Sequence, residues 1–258
     1  MSSPAPPPPP AKAEAPTFLF TPGAWHSPPV FDLVRADLKS RGFPSAAVKL
    51  VSVNPTDPKT QGAAEDAAAV RGEIEKLVND GKEVIVVCHS YGGVPTAMGV
   101  EGYNLKDRVA KGEKGGVKMV IYLTSFAIPA GASLSSGLGG EKPDWWNITG
   151  DLIIPTRPIE VFYADVPTPL AEQAVAAILP MSSRSISDAS TFTPWTQGFT
   201  MGYIFAEDDQ AIPLAVQQGM AAQFPEGSWT ASLKSSHSPF LSMPERLGQV
   251  LEEAAGTL

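Results

Sequence analysis

The sequence predicts an α/β fold, with a mostly parallel central sheet, helices on both faces and an inserted cap. Three observations predict it. Short apolar runs alternate with helical patterns through most of the chain, as happens when each strand is followed by a crossover helix. The run Val84–Val87 is apolar at every position, as a central strand buried on both faces requires. Residues 127–198 interrupt this rhythm with Gly, Ser and Pro clusters and the pair Trp145-Trp146.

The elements follow in order. Residues 1–16 hold five consecutive prolines, Pro6–Pro10, among small residues; such a segment offers little to bury and reads as a disordered, proline-rich tail. Phe18–Phe20 reads as a strand ending in Thr21-Pro22-Gly23. Val30–Ser40 has apolar residues at helical spacing and is closed by Gly42. Val48–Val53 reads as a second strand, followed by a Pro/Asn/Asp-rich loop. Ala63–Asn79 is a strong helix whose inner stripe is Val70, Ile74, Leu77 and Val78, with Gly81 where a C-terminal cap belongs. The strand Glu83–Cys88, a helix to about Val100 and the strand Val117–Leu123 come next. After the cap, the strands Tyr203–Ala206 and Trp229–Leu233 alternate with helices at about Pro213–Phe224 and Pro244–Ala255. The cap itself holds one good helix, Thr168–Leu179. The organisation expected is therefore a core of 17–126 and 199–258 carrying a cap at 127–198.

Composition bounds the function. A chain of 258 residues buries enough surface to need no metal or disulfide. A net charge of −8 counts against a nucleic-acid partner or an anionic membrane surface. The lone cysteine, Cys88, excludes an intrachain disulfide and a thiolate metal cluster. No apolar run reaches the roughly 18 residues of a membrane span, and the N-terminus lacks a signal-peptide pattern. A cytoplasmic protein without cofactor or metal is expected; the oligomeric state is open.

The chemistry concentrates at Val84–Gly93, which reads V-I-V-V-C-H-S-Y-G-G: strand, sharp turn, helix. A serine hydroxyl is a poor nucleophile until it is positioned and deprotonated. A strained strand-to-helix turn projects its Oγ above the sheet, with small residues two before and two after, here Cys88 and Gly92. Ser90 is the candidate nucleophile. The base at neutral pH is a histidine. Of three, His89 adjoins the nucleophile and must point the other way, and His26 sits in the first loop. His237 follows the last predicted strand, where the chain order Ser…Asp…His requires it. The acid that orients it belongs after Tyr203–Ala206, where Glu207, Asp208 and Asp209 compete; spacing does not choose among them. The tetrahedral oxyanion needs donors. The Tyr91 N–H, just after the nucleophile, is one, and the loop Pro22–His26, opened by Gly23, supplies the second.

These residues resemble the α/β-hydrolase superfamily, and within it the compact branch of hydroxynitrile lyases and salicylate-type methylesterases. Pro22-Gly-Ala-Trp-His stands where that branch has His-Gly-Ala-x-His, Cys88-His-Ser-Tyr-Gly-Gly for Gly-His-Ser-x-Gly-Gly, and Asp209-Gln-Ala-Ile-Pro for its Asp-x-x-x-Pro. The resemblance covers about 17–126 and 199–258. It implies an α/β-hydrolase fold, Asp209 as the acid with Asp208 second, and Ala24 and Tyr91 as oxyanion donors. It also implies hydrolysis of a carboxylic ester, or less often an amide or lactone, through an acyl-enzyme. Hydroxynitrile lyases carry a threonine in the first loop and a lysine after the histidine; Gly23 and Ser238 stand there, which counts against cyanohydrin chemistry.

The substrate expected is a small, largely apolar ester. Trp25, His26, Phe126, Trp145, Trp146 and Ser238 are candidate pocket residues, with Phe240 a further aromatic wall. Two other functions would use the same residues: a lyase or biosynthetic cyclase working without water, and a receptor-like binder with a vestigial triad. Covalent labelling of Ser90 by a fluorophosphonate separates an enzyme from a binder.

Overall fold

The computed structural model describes residues 14–258, so the proline run Pro6–Pro10 expected as a tail lies outside the described residues. Four strands come first: β1 (Thr17–Thr21), β2 (Ser45–Ala47), β3 (Glu83–Ser90) and β4 (Gly116–Ser125). Three short ones follow, β5 (Trp146–Thr149), β6 (Leu152–Pro155) and β7 (Met181–Ser182), before β8 (Met201–Ala206) and β9 (Trp229–Leu233). One sheet runs in the order β2-β1-β3-β4-β8-β9, and each neighbouring pair in it is parallel. Val84, Ile85, Val86 and Val87 of β3 are fully buried, as an unbroken apolar run in a central strand should be.

Helices α1 (Asp32–Ser40), α2 (Ala63–Asn79) and α3 (Gly93–Gly99) connect these strands. The chain steps outward from β1 to β2, then back across β1 to β3. Parallel crossovers are right-handed, so α1 and α2 fall on opposite faces. The C-terminal helix Pro244–Gly256 packs on α1, and α3 packs on α2. Val70, Ile74 and Val78 of α2 are buried as the spacing predicts, whereas Leu77 is only half-buried. The first turn of α2 is satisfied by two carboxylates: Gly62 N–H donates to Glu65 at 2.8 Å and Ala63 N–H to Asp188 at 3.1 Å. Gly81 ends the helix at φ +77°, a conformation that glycine adopts freely.

The second strand departs from expectation. It pairs with β1 over Ser45–Ala47, ahead of the predicted Val48–Val53. Val48, Leu50 and Val53 are buried nonetheless. Beyond Val48, whose N–H still reaches Phe20, the backbone turns from the sheet toward the inserted segment: Ser182 N–H donates to Ser52 O, and Asn54 N–H to Pro180 O. The apolar run marked burial correctly but not the strand's bounds.

Within 127–198 the chain forms a three-stranded antiparallel sheet, β5-β6-β7, which periodicity did not reveal. Its strands are too short to develop a pattern. The helix Thr168–Ala176 stands where a helix was expected. Toward the end of the segment Trp195 rejoins the main core, packing on Tyr122 and Phe224. No helix among the described residues is long and apolar enough to cross a membrane.

Candidate active site

The candidate residues come from loops at the carboxyl ends of β1, β3, β4, β8 and β9, the edge where parallel sheets gather ligands. At the end of β3 the backbone turns so sharply that Ser90 adopts φ +52°, a sparsely populated conformation for a residue with a side chain. Its surroundings hold it there. Phe126 N–H and Ser125 Oγ both donate to Ser90 O, at 3.1 and 2.7 Å. A Cβ on Gly92 would sit 2.5 Å from Pro22 O and 2.7 Å from Thr21 O, so only glycine lets the elbow close onto the first loop. Cys88 is fully buried beneath, its thiol donating to Ile121 O at 3.4 Å.

Among the three carboxylates after β8, only Asp209 turns inward; Glu207 and Asp208 remain exposed. His237 Nδ1–H donates to Asp209 Oδ2 at 2.7 Å. Thr124 Oγ donates to the same oxygen. The amides of Ala211 and Ile212 donate to Oδ1 at 2.7 and 3.0 Å. A carboxylate so held by four donors fixes the imidazole tautomer, leaving His237 Nε2 free to accept a proton. Thr124, at the end of β4 with φ +35°, was not legible in the sequence: nothing local marks a partner of Asp209.

His89 packs beside His237. Its Nε2–H donates to His237 O at 2.9 Å, and the two rings lie 4.5 Å apart, so the residue preceding Ser90 fixes the backbone of His237. The Ser90 hydroxyl is not itself hydrogen-bonded to the His237 ring here. Such bonds commonly tighten only when substrate is bound.

Ala24 and Tyr91 line the same cavity as Ser90, and among the described residues neither amide donates to a protein acceptor. A Cβ on Gly23 would lie 2.8 Å from Ser90 Cβ, which measures how closely the first loop approaches Ser90. His26 secures that loop: its Nδ1–H donates to Ala24 O at 2.6 Å, and Tyr163 O–H donates to its Nε2 at 2.6 Å. Burial lowers the His26 pKa to about 4, against the hydrogen bond to Ala24 that raises it and with a smaller push from His237. Burial, aided by His237 and His26, also holds His89 well below the usual imidazole range.

Above Ser90 lies a cavity walled by Trp25, Phe126, Trp145 and Trp146, four of the expected pocket residues, together with Phe162 and Ile186. Its empty volume, including its opening to solvent, is about 380 Å³. Two expected pocket residues do not line it. His26 sits behind Ala24, facing a separate apolar groove with Leu170 and Leu241. Ser238 is fully buried at the start of the helix Pro239–Ser242, because the chain turns inward there to place His237. Phe240 is core, packed on Phe31 and His89. Trp25, at φ +65°, is stacked on Phe162 and donates its Nε1–H to Ile153 O at 2.9 Å.

Residues 18–250 match the model of the alpha/beta hydrolase family. The chain is similar to the probable hydrolase R7 of a Phoma species, 28% identical over 254 residues covering 93% of this chain and 98% of that protein. It is also similar to a pyrethroid hydrolase of Sphingobium wenxiniae, 28% identical over 255 residues covering 90% and 85%. Among solved structures, an Arabidopsis methylesterase superposes with a TM-score of 0.74 at 20% identity, covering 94% of this chain and all of that one.

Proposed function

The chain belongs to the alpha/beta hydrolase family, and we propose that it cleaves small, largely apolar carboxylic esters through an acyl-enzyme on Ser90. The observation that carries the reading is the Asp209–His237 pair, joined at 2.7 Å and locked by His89 against the elbow that bears Ser90. The resemblance to a pyrethroid hydrolase and a methylesterase supports ester chemistry.

In this mechanism Ser90 Oγ attacks the ester carbonyl carbon as His237 Nε2 takes its proton. Negative charge gathers on the carbonyl oxygen, opposite the Ala24 and Tyr91 N–H groups, which stabilise it. Asp209 stabilises the imidazolium. Collapse breaks the bond to the alkoxy oxygen, which leaves with the proton from His237. Water then adds to the acyl group with the same base, releasing acid and Ser90. A lactone follows the same path, its alcohol staying tethered. The aromatic wall, with no charged side chain, favours apolar groups flanking the ester. Residues 127–198 serve as the cap that sets this preference. The lone buried thiol of Cys88 supports a cytoplasmic setting.

The test is covalent labelling. A fluorophosphonate should label the wild type, with burst kinetics on an aryl ester, and leave Ser90→Ala unlabelled and inactive. Labelling or turnover undiminished in Ser90→Ala sinks the proposal.

A further inference from the structure

One buried ionisable group takes no part in the chemistry above. Asp66 lies on the inner stripe of α2 beside Ala63, Ala67 and Val70, with no exposed surface. A carboxylate in such a place is costly unless each oxygen is well paired, and these are. Ser52 N–H donates to Oδ1 at 2.9 Å, while Ser52 Oγ–H and Tyr91 O–H donate to Oδ2 at 2.5 and 2.8 Å. Tyr91 is almost fully buried. Its backbone sits between Ser90, at a strained φ, and the glycines 92 and 93, where no side chain restrains the chain. Its ring is the handle by which the elbow can be held.

We propose that Asp66 is a positioning residue: through the phenol of Tyr91 it aims the Tyr91 N–H at the oxyanion formed on Ser90. The inference rests on the serine-hydrolase reading given above. The carboxyl suits this task because its Oδ2 accepts from both Ser52 and Tyr91 and so pins the phenol; burial raises its pKa, against those same hydrogen bonds. The network continues outward, since Ser52 O accepts from Ser182 N–H at 2.9 Å. The inserted segment therefore braces the same anchor.

The experiment compares the full-length wild type, Tyr91→Phe, Asp66→Asn and Ser90→Ala on a p-nitrophenyl ester, with a boronic acid as tetrahedral mimic. Loss of aim should lower kcat about ten- to a hundredfold while KM stays within about twofold, because ground-state binding is untouched. Boronate affinity should fall by the same factor as kcat/KM. Folded Tyr91→Phe and Asp66→Asn proteins with wild-type kcat, even if they melt earlier, overturn the positioning role and leave the serine-hydrolase reading standing. Should Asp66→Asn fail to fold, Tyr91→Phe decides, since it keeps the ring and removes only the hydroxyl. Full activity in Ser90→Ala would instead remove the premise.

Discussion

His26 shows what burial does to a single side chain. Its imidazole is held neutral, with a pKa of about 4 where an exposed histidine has 6.5. Between those values the unfolded chain binds a proton that the folded chain refuses, so stability falls as pH drops through that window. For a shift of this size the loss is roughly 3 kcal/mol, and His89 adds to it in the same direction. We expect the urea midpoint of the wild type to fall steeply from pH 6.5 to 4.5, and His26→Gln to show a shallower fall; equal slopes would contradict this. At this scale the sequence was legible where chemistry restricts the choice. Only three histidines exist, and chain order singles out His237. Asp209 was separated from Asp208 by resemblance rather than spacing, because facing inward depends on contacts with Thr124 and His237 far along the chain. Asp66 did leave a trace, an acidic residue among Ala63, Ala67 and Val70 on one helix face.

At the scale of elements, the turns are the sensitive parts. Gly23 separates β1 from the elbow, and a methyl group there would press on Ser90 Cβ at 2.8 Å and on His89 Nδ1 at 3.0 Å. Gly23→Ala should cost about 1–3 kcal/mol through overpacking but lower kcat about a hundredfold by displacing Ser90, the proposed nucleophile. Urea titration and steady-state kinetics on the same preparation check both figures; unchanged kcat would show that the loop yields instead. Strands and helices with several turns or pleats of pattern were readable: α2 runs Ala63–Asn79 and β9 runs Trp229–Leu233, the bounds their periodicity gives. Elements of two to four residues, such as β2 and β7, carry too few positions to show a period. Their existence is decided by the neighbour that pairs with them.

For the molecule as a whole, the inserted segment is fastened to the active-site edge at several points. Ile153 O and Leu179 N–H hold Trp25, Asp188 caps α2, and Asp165 grips Ser236, accepting its N–H at 3.0 Å and its hydroxyl. That last contact reaches the residue next to His237 from a segment outside the main sheet. Asp165→Ala should therefore lower kcat about tenfold while costing only about 1 kcal/mol of stability, since the side chain is largely exposed. Kinetics and thermal melts of the variant measure the two effects; a loss of stability with kcat intact would leave the contact purely structural.

The thiol of Cys88 is the protein's sole sulfhydryl, enclosed beneath the elbow and pushed up to about 12 by burial. Alkylating dyes have no other place to react and none while the sheet stays closed. The rate at which a maleimide consumes that sulfur thus clocks how often the centre of the molecule opens. The enzyme carries its own gauge of breathing directly beneath Ser90.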